Sequence, residues 1–178
     1  MFRACIPLLL VLTPVAAFAV TDPGDAPPTP TETTQDCSDG QIWDNESQSC
    51  VTPQDARLDD DVRYKAAREF AWAGQYQDAL GALAAMSETD SDRVLTYRGF
   101  VARKGGDFEQ GRAFYQAALD KNPDNLLARA YLGMGYVEQG DLTAARRQLE
   151  EIRLRGGGDS WPETALADAI THGALSSY

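Results

Sequence analysis

The sequence predicts an all-α fold of stacked helix pairs, and three observations carry that prediction. First, glycine-punctuated, amphipathic helical segments begin near Ala56 and run almost to the end of the chain. Second, Gly99 set beneath Gly133 brings two stretches into register at an offset of 34 residues. At that offset Gly106-Asp107 falls on Gly140-Asp141, Phe108 on Leu142, Gly111 on Ala145, Tyr115 on Leu149 and Ala118 on Ile152. Third, each Gly-Asp pair is a boundary: the glycine breaks one helix and the aspartate caps free backbone amides of the next. The two stretches are one unit copied along the chain.

The segments before the repeats have separate characters. Met1-Phe2-Arg3 supplies one positive charge, Ile6 to Val15 a short apolar stretch, and Ala17-Phe18-Ala19 an A-x-A cleavage site before Val20. This is the pattern of a signal peptide over residues 1–19. The apolar stretch is shorter than the roughly 20 residues that span a bilayer. Cys5 precedes it, whereas a lipid-anchored cysteine would follow it. No second apolar run exists, so the mature protein is expected to carry no membrane span and to be periplasmic or secreted. Residues 20–36, VTDPGDAPPTPTETTQD, contain four prolines, five threonines and no large apolar residue besides Val20. Such a segment cannot bury a core and is expected to be a disordered linker.

Removal of Cys5 leaves two cysteines, Cys37 and Cys50, bracketing CSDGQIWDNESQSC. An even number in an oxidising compartment predicts a disulfide-closed loop over 37–51. Gly40 and Asp44-Asn45 provide turn signals. Closing about 14 residues stabilises by roughly 3 kcal/mol in the chain-entropy model. Two thiols without nearby histidine do not make a closed zinc site, so no metal is expected. The residues Cys37, Gly40, Trp43, Asp44, Cys50 and Val51 make this stretch resemble part of the modules found in chitin-binding, peritrophin-like domains. The resemblance implies an alternative function, binding of cell-envelope carbohydrate (peptidoglycan or chitin-like) through the Cys37–Cys50 loop, with Trp43 as a possible glycan contact. Packing of Trp43 over the disulfide or on the helices is the competing role.

A period of 34 residues with two helices per unit is the signature of tetratricopeptide repeats. Leu132-Gly133-x2-Tyr136 followed by Ala145-x3-Leu149 stands at that family's spacing, and the preceding copy carries Gly99, Tyr115, Ala118 and Pro123. Ala67, Phe70, Gly74, Tyr76, Ala79, Leu83 and Met86 give a looser first copy. Arg98 stands where the family usually has leucine, Ala102 where it has a large aromatic, and Gly157 where it has proline. The resemblance implies a short solenoid over 55–175, with repeats at about 60–91, 92–125 and 126–159. A capping helix over about 160–175 would begin with a capping box at Ser160 and Glu163. Such a cap is needed because the last repeat otherwise leaves an apolar face open. The stretches YRGFVARKGGD and ARAYLGMGYVEQGD also resemble a recurring kind of small exported bacterial repeat protein, which implies a periplasmic address.

The function that the family implies is protein binding by a non-enzymatic adaptor or scaffold. In the family's geometry the first helix of each pair lines the concave surface. The inward set here would be Tyr64, Arg68, Trp72, Arg93, Phe100, Arg103, Lys104 and Met134, with Leu127 and Val137. Basic and aromatic residues grouped in a chain of net charge −11 suit a partner peptide or helix with an acidic or C-terminal carboxylate. Packing of Phe100 and Met134 between repeats is the alternative placement. The family's clamp for chaperone tails uses asparagine just before the mid-helix small residue; Arg98 and Leu132 stand there instead.

The acidic balance also argues against nucleic-acid binding, which needs basic residues to displace phosphate counterions. It disfavours docking on an anionic membrane surface. His172 is the only histidine, no nucleophile–base pair has a motif around it, and no glycine loop precedes a helix in the way a phosphate site requires. No catalytic residue and no cofactor is expected.

Overall fold

The computed structural model describes residues 25–173. The expected signal peptide (1–19), the start of the linker and the last two residues of the expected capping helix lie outside the described residues. Three helix pairs follow one another: α2 (Asp60–Trp72) with α3 (Tyr76–Ala84), α4 (Asp92–Lys104) with α5 (Phe108–Lys121), and α6 (Leu126–Glu138) with α7 (Leu142–Leu154). A last helix, α8 (Trp161–His172), packs on α6 and α7. Before them come a single helical turn, α1 (Glu32–Gln35), and the strands β1 (Ile42–Asp44) and β2 (Ser49–Val51).

The helix boundaries follow the predicted chemistry. Asp107 and Asp141 accept hydrogen bonds from Gln110 N and Ala144 N, each at 2.9 Å. The glycines before them, Gly106 and Gly140, have φ of 95° and 78°, where a Cβ is costly. Asn125 caps α6 through Ala128 N at 2.8 Å. The capping box at α8 forms by half. Ser160 Oγ accepts from Glu163 N, but the Glu163 carboxylate turns to Arg153, 2.6 Å away. Ser160 N donates instead to Gly157 O.

Small residues at the helix crossings set the stacking distance. A Cβ on Gly99 would lie 2.6 Å from the Tyr115 ring, and one on Gly133 would lie 2.5 Å from Leu166. Tyr97, Tyr115, Tyr131 and Leu166 are fully buried in the continuous core that results.

The N-terminal end corrects two expectations. The first is disorder in the linker. From Thr31 the chain is held on α2 by the buried carboxylate of Glu69. That carboxylate accepts from Thr31 N and Thr31 Oγ1, both at 2.7 Å, and from Thr34 N and Thr34 Oγ1. Composition measures apolar content, and this ordering is polar: four donors meet one carboxylate. The second correction concerns the loop between the cysteines, which is a β-hairpin with Ile42 opposite Val51 and Trp43 opposite Cys50. Cys37 and Cys50 are bonded, as predicted. The Asp44 carboxylate ties the turn through Glu46 N, Ser47 N and Ser47 Oγ. The hairpin borrows the solenoid's core. Ile42, Val51 and Leu58 are buried in the same cluster as Ala66 and Phe70 of α2.

Candidate peptide-binding face

The helices α2, α4, α6 and α8 bring their aromatic side chains into one layer. Residues 64, 68 and 72 share one stripe of α2, and three- and four-residue spacing aligns Tyr97 with Phe100 and Tyr131 with Met134. Tyr64 meets Tyr97 edge-on at 5.6 Å between ring centres, and Tyr97 meets Tyr131 at 6.1 Å. Phe100 lies 5.0 Å from Tyr131 and 5.8 Å from Trp72, which is stacked on it. Trp161 of α8 completes the layer at 6.1 Å from Tyr131 and 5.9 Å from Trp72. The first and last helices of the layer therefore touch.

The cations are set into these rings. Arg103, whose side chain is 0 % exposed, pairs with Glu138 at 2.5 Å. Its guanidinium carbon lies 5.7 Å and 5.9 Å from the Phe100 and Tyr131 ring centres. Arg68 Nε donates to Tyr97 Oη at 3.0 Å, and its Nη2 donates to the main-chain carbonyl of Ala26. Arg93 pairs with Asp61 at 2.6 Å and lies 5.0 Å over the Tyr64 ring. Burial, and then the charge of Arg103, pushes the Lys104 ammonium below its usual pKa. Burial also raises the Tyr64 phenol.

Five members of the predicted inward set are thus interior: Arg68, Phe100, Arg103, Leu127 and Met134 are buried. The expected open groove is corrected accordingly. In this array the rings of α4 and α6 meet those of α2 and α8 directly, and the guanidinium groups are satisfied against them. Tyr64, Trp72, Arg93 and Lys104 stand half-buried at the edge. Beside Tyr64 and Arg93 opens a cavity of about 310 Å³, also lined by Asp25, Asp92, Asn125 and Leu127. The Asp92 carboxylate there accepts from Asn122 Nδ2 at 2.8 Å and Asn125 Nδ2 at 2.9 Å.

Sequence reasoning allowed the acidic linker to occupy the basic groove, but it missed the Ala26 carbonyl as the partner of Arg68, because a backbone carbonyl leaves no mark in the residue pattern. It also missed Arg129, which reaches the Pro123 carbonyl through Nη2 at 2.8 Å. The signal available was the Asn-Pro-Asp-Asn boundary, which exposes carbonyls between two helices.

Trp43 sits apart from this face. It is half-buried in a second cleft of about 200 Å³, with Thr31, Glu32, Asn45, Lys65 and Glu69 in its walls. His172 is exposed and bonded to Asp168 at 2.8 Å. Among the described residues no group of three or more His, Cys, Asp or Glu could hold a metal ion. No helix among them is long and apolar enough to cross a membrane.

Helix pairs in fixed register, closed by a terminal helix, define a helix-pair solenoid. The tetratricopeptide repeat family model matches residues 102–167, from the last residues of α4 into α8, which supports a tetratricopeptide repeat protein. The first pair, α2–α3, precedes the matched span. No curated protein and no solved structure matches the chain. Tetratricopeptide repeats generally mediate protein–protein interaction and are typically non-catalytic.

Proposed function

We propose that this is an exported, non-enzymatic adaptor whose α2–α4–α6 face holds an extended segment of a partner protein. The observation that carries the proposal is a contact within the chain. Arg68 donates to the Ala26 carbonyl, and Asp25 lines the cavity beside Tyr64 and Arg93. An acidic, proline-containing strand of main chain already lies where a ligand would lie. A guanidinium binds a carbonyl or carboxylate without regard to the side chains that follow. The half-buried rings of Tyr64 and Trp72 offer apolar anchors beside it. Export follows from the leader pattern at residues 1–19 and agrees with the Cys37–Cys50 bond, which belongs to oxidising compartments.

The test uses the chain's own segment as the probe. A labelled peptide of residues 20–30 is titrated into the mature protein and into a form lacking residues 20–28. Binding to the shortened form, blocked in the full form and weakened by Arg93→Glu, is the expected result. Equal failure to bind both forms would sink the proposal. A second role, carbohydrate binding, has one observation behind it: the half-buried Trp43 indole in a cleft walled by polar side chains. Pull-down on insoluble peptidoglycan and chitin decides it, since retention unchanged by Trp43→Ala removes that role.

A further inference from the structure

The repeats differ at one pair of positions, and the difference leaves a hole. In α6 the residues Leu132 and Tyr136 face their neighbours, and Tyr136 stacks edge-on against Phe108 at 5.6 Å. The corresponding residues of α4, offset by 34, are Arg98 and Ala102. Where the later repeat has a phenol ring, the earlier one has a methyl group. A cleft of about 230 Å³ opens there, lined by Leu80 of α3, by Arg98, Val101 and Ala102 of α4, and by Gln110 and Phe114 of α5. Helix α4 packs more loosely on α3 than α6 does on α5. The walls are largely apolar, and an apolar cavity of about 150 Å³ accepts benzene, so this one has room for an aromatic side chain.

The second half of the difference concerns charge. Arg98 replaces the apolar Leu132 at the rim of the cleft; among the described residues its guanidinium makes no close ion pair or hydrogen bond, and its charge acts at longer range on Asp90. The nearby Asp90 carboxylate is taken by Lys121 at 2.9 Å. A cation over an aromatic-sized socket selects a ring flanked by a carboxylate, since the ring fills the space and the carboxylate meets the guanidinium.

We propose that the cleft between α3 and α5, floored by α4, is a docking site for a partner segment bearing an aromatic residue beside Asp or Glu. This site is separate from the α2–α4–α6 face and stands or falls independently of it. Two helices of the solenoid's second layer form its sides, so a partner can occupy both surfaces at once.

The test is methyl and aromatic NMR on the full mature chain with three capped tripeptides: Glu-Tyr-Glu, Lys-Tyr-Lys and Glu-Ala-Glu. Expected are saturable shifts at the Leu80 and Val101 methyls and the Phe114 ring with Glu-Tyr-Glu alone. The dissociation constant should be on the order of 1 mM, with nuclear Overhauser contacts from the peptide ring to Leu80 and Phe114. Ala102→Tyr, which copies the next repeat and fills the socket, should weaken binding at least about tenfold. Arg98→Leu, also copied from the next repeat, should remove the preference for the acidic peptide. The wild-type contacts decide the matter even if a variant folds poorly. Several results would overturn the proposal: no shift with any peptide, shifts confined to Tyr64 and Arg93, or equal binding by Lys-Tyr-Lys. Equally strong binding of free 4-hydroxyphenylacetate would make it a small-molecule site, and shifts that depend on protein concentration alone would assign it to self-association.

Discussion

The two ends of the helix array are closed in physically different ways. At the far end, α8 repeats the pattern of α2, α4 and α6, and its buried Leu166 enters the space left by Gly133. Shape and apolar area do the closing. At the near end a short hairpin covers α2. A two-stranded hairpin is marginal alone in water, and this one is held by the Cys37–Cys50 bond, an Asp44-tied turn and the bond from Trp43 N to Thr33 Oγ1 in the segment that Glu69 anchors. An array of repeats needs both ends covered, because each terminal unit exposes the face that its missing neighbour would hide. One cap uses the repeat's own packing code; the other replaces it with a covalent bond and hydrogen bonds suited to an oxidising compartment.

The contrast can be broken from either side. The largest effect is expected from Leu166→Ala, which empties a fully buried site and should cost about 2–5 kcal/mol. It should lower the urea midpoint of the whole helical signal. Loss of the disulfide in Cys37→Ser/Cys50→Ser should cost roughly 3 kcal/mol, confined to one end. Amide exchange should then quicken across residues 31–51 while α4 to α8 stay protected, and loss of protection throughout would show that the two ends are not independent. Glu69→Gln leaves donors of Thr31 and Thr34 poorly matched in a buried place. A loss of about 1–3 kcal/mol is expected, read as faster reduction of the disulfide by dithiothreitol.

The smallest effect is one of pH. Asp55, bonded to Arg57, has its pKa lowered to about 2. Ser47 holds the Asp44 carboxyl, and Ser87 the Asp60 carboxyl, below the usual value. Groups with depressed folded values contribute stability above the unfolded value of about 3.9 and lose it as pH falls through the folded value. The amides from the hairpin to the start of α2 should therefore lose protection as the pH falls below about 4, ahead of those in α8, whose hold is apolar. Simultaneous loss at both ends would refute the assignment of the near cap to polar contacts.

How much of this was legible beforehand depended on the kind of interaction. The helix pairs, the Gly99 and Gly133 crossings and the Asp107 and Asp141 caps each leave a residue type at a fixed spacing, and all could be read. The disulfide could be read from the parity of the cysteines left after the leader pattern at residues 1–19. The order at Thr31 to Asp36 could not, because nothing local to that segment announces the Glu69 carboxylate in α2. The burial of Phe100 and Met134 was one of two placements the sequence left open, and that of Arg103 escaped for a related reason. The family pattern says which face of a helix turns inward, but not whether the helices of a short array close on one another. That outcome depends on the size of side chains such as Trp72 and Trp161, 89 positions apart in the sequence.

That last contact has an optical consequence. Two indoles with centres 5.9 Å apart and planes at 65° couple their electronic transitions. The pair should give a far-ultraviolet exciton couplet that a single tryptophan cannot produce. Because one ring rides on α2 and the other on α8, any widening of the coil that admits a ligand into the aromatic layer must separate them and extinguish the couplet. The molecule carries its own strain gauge, readable without a label.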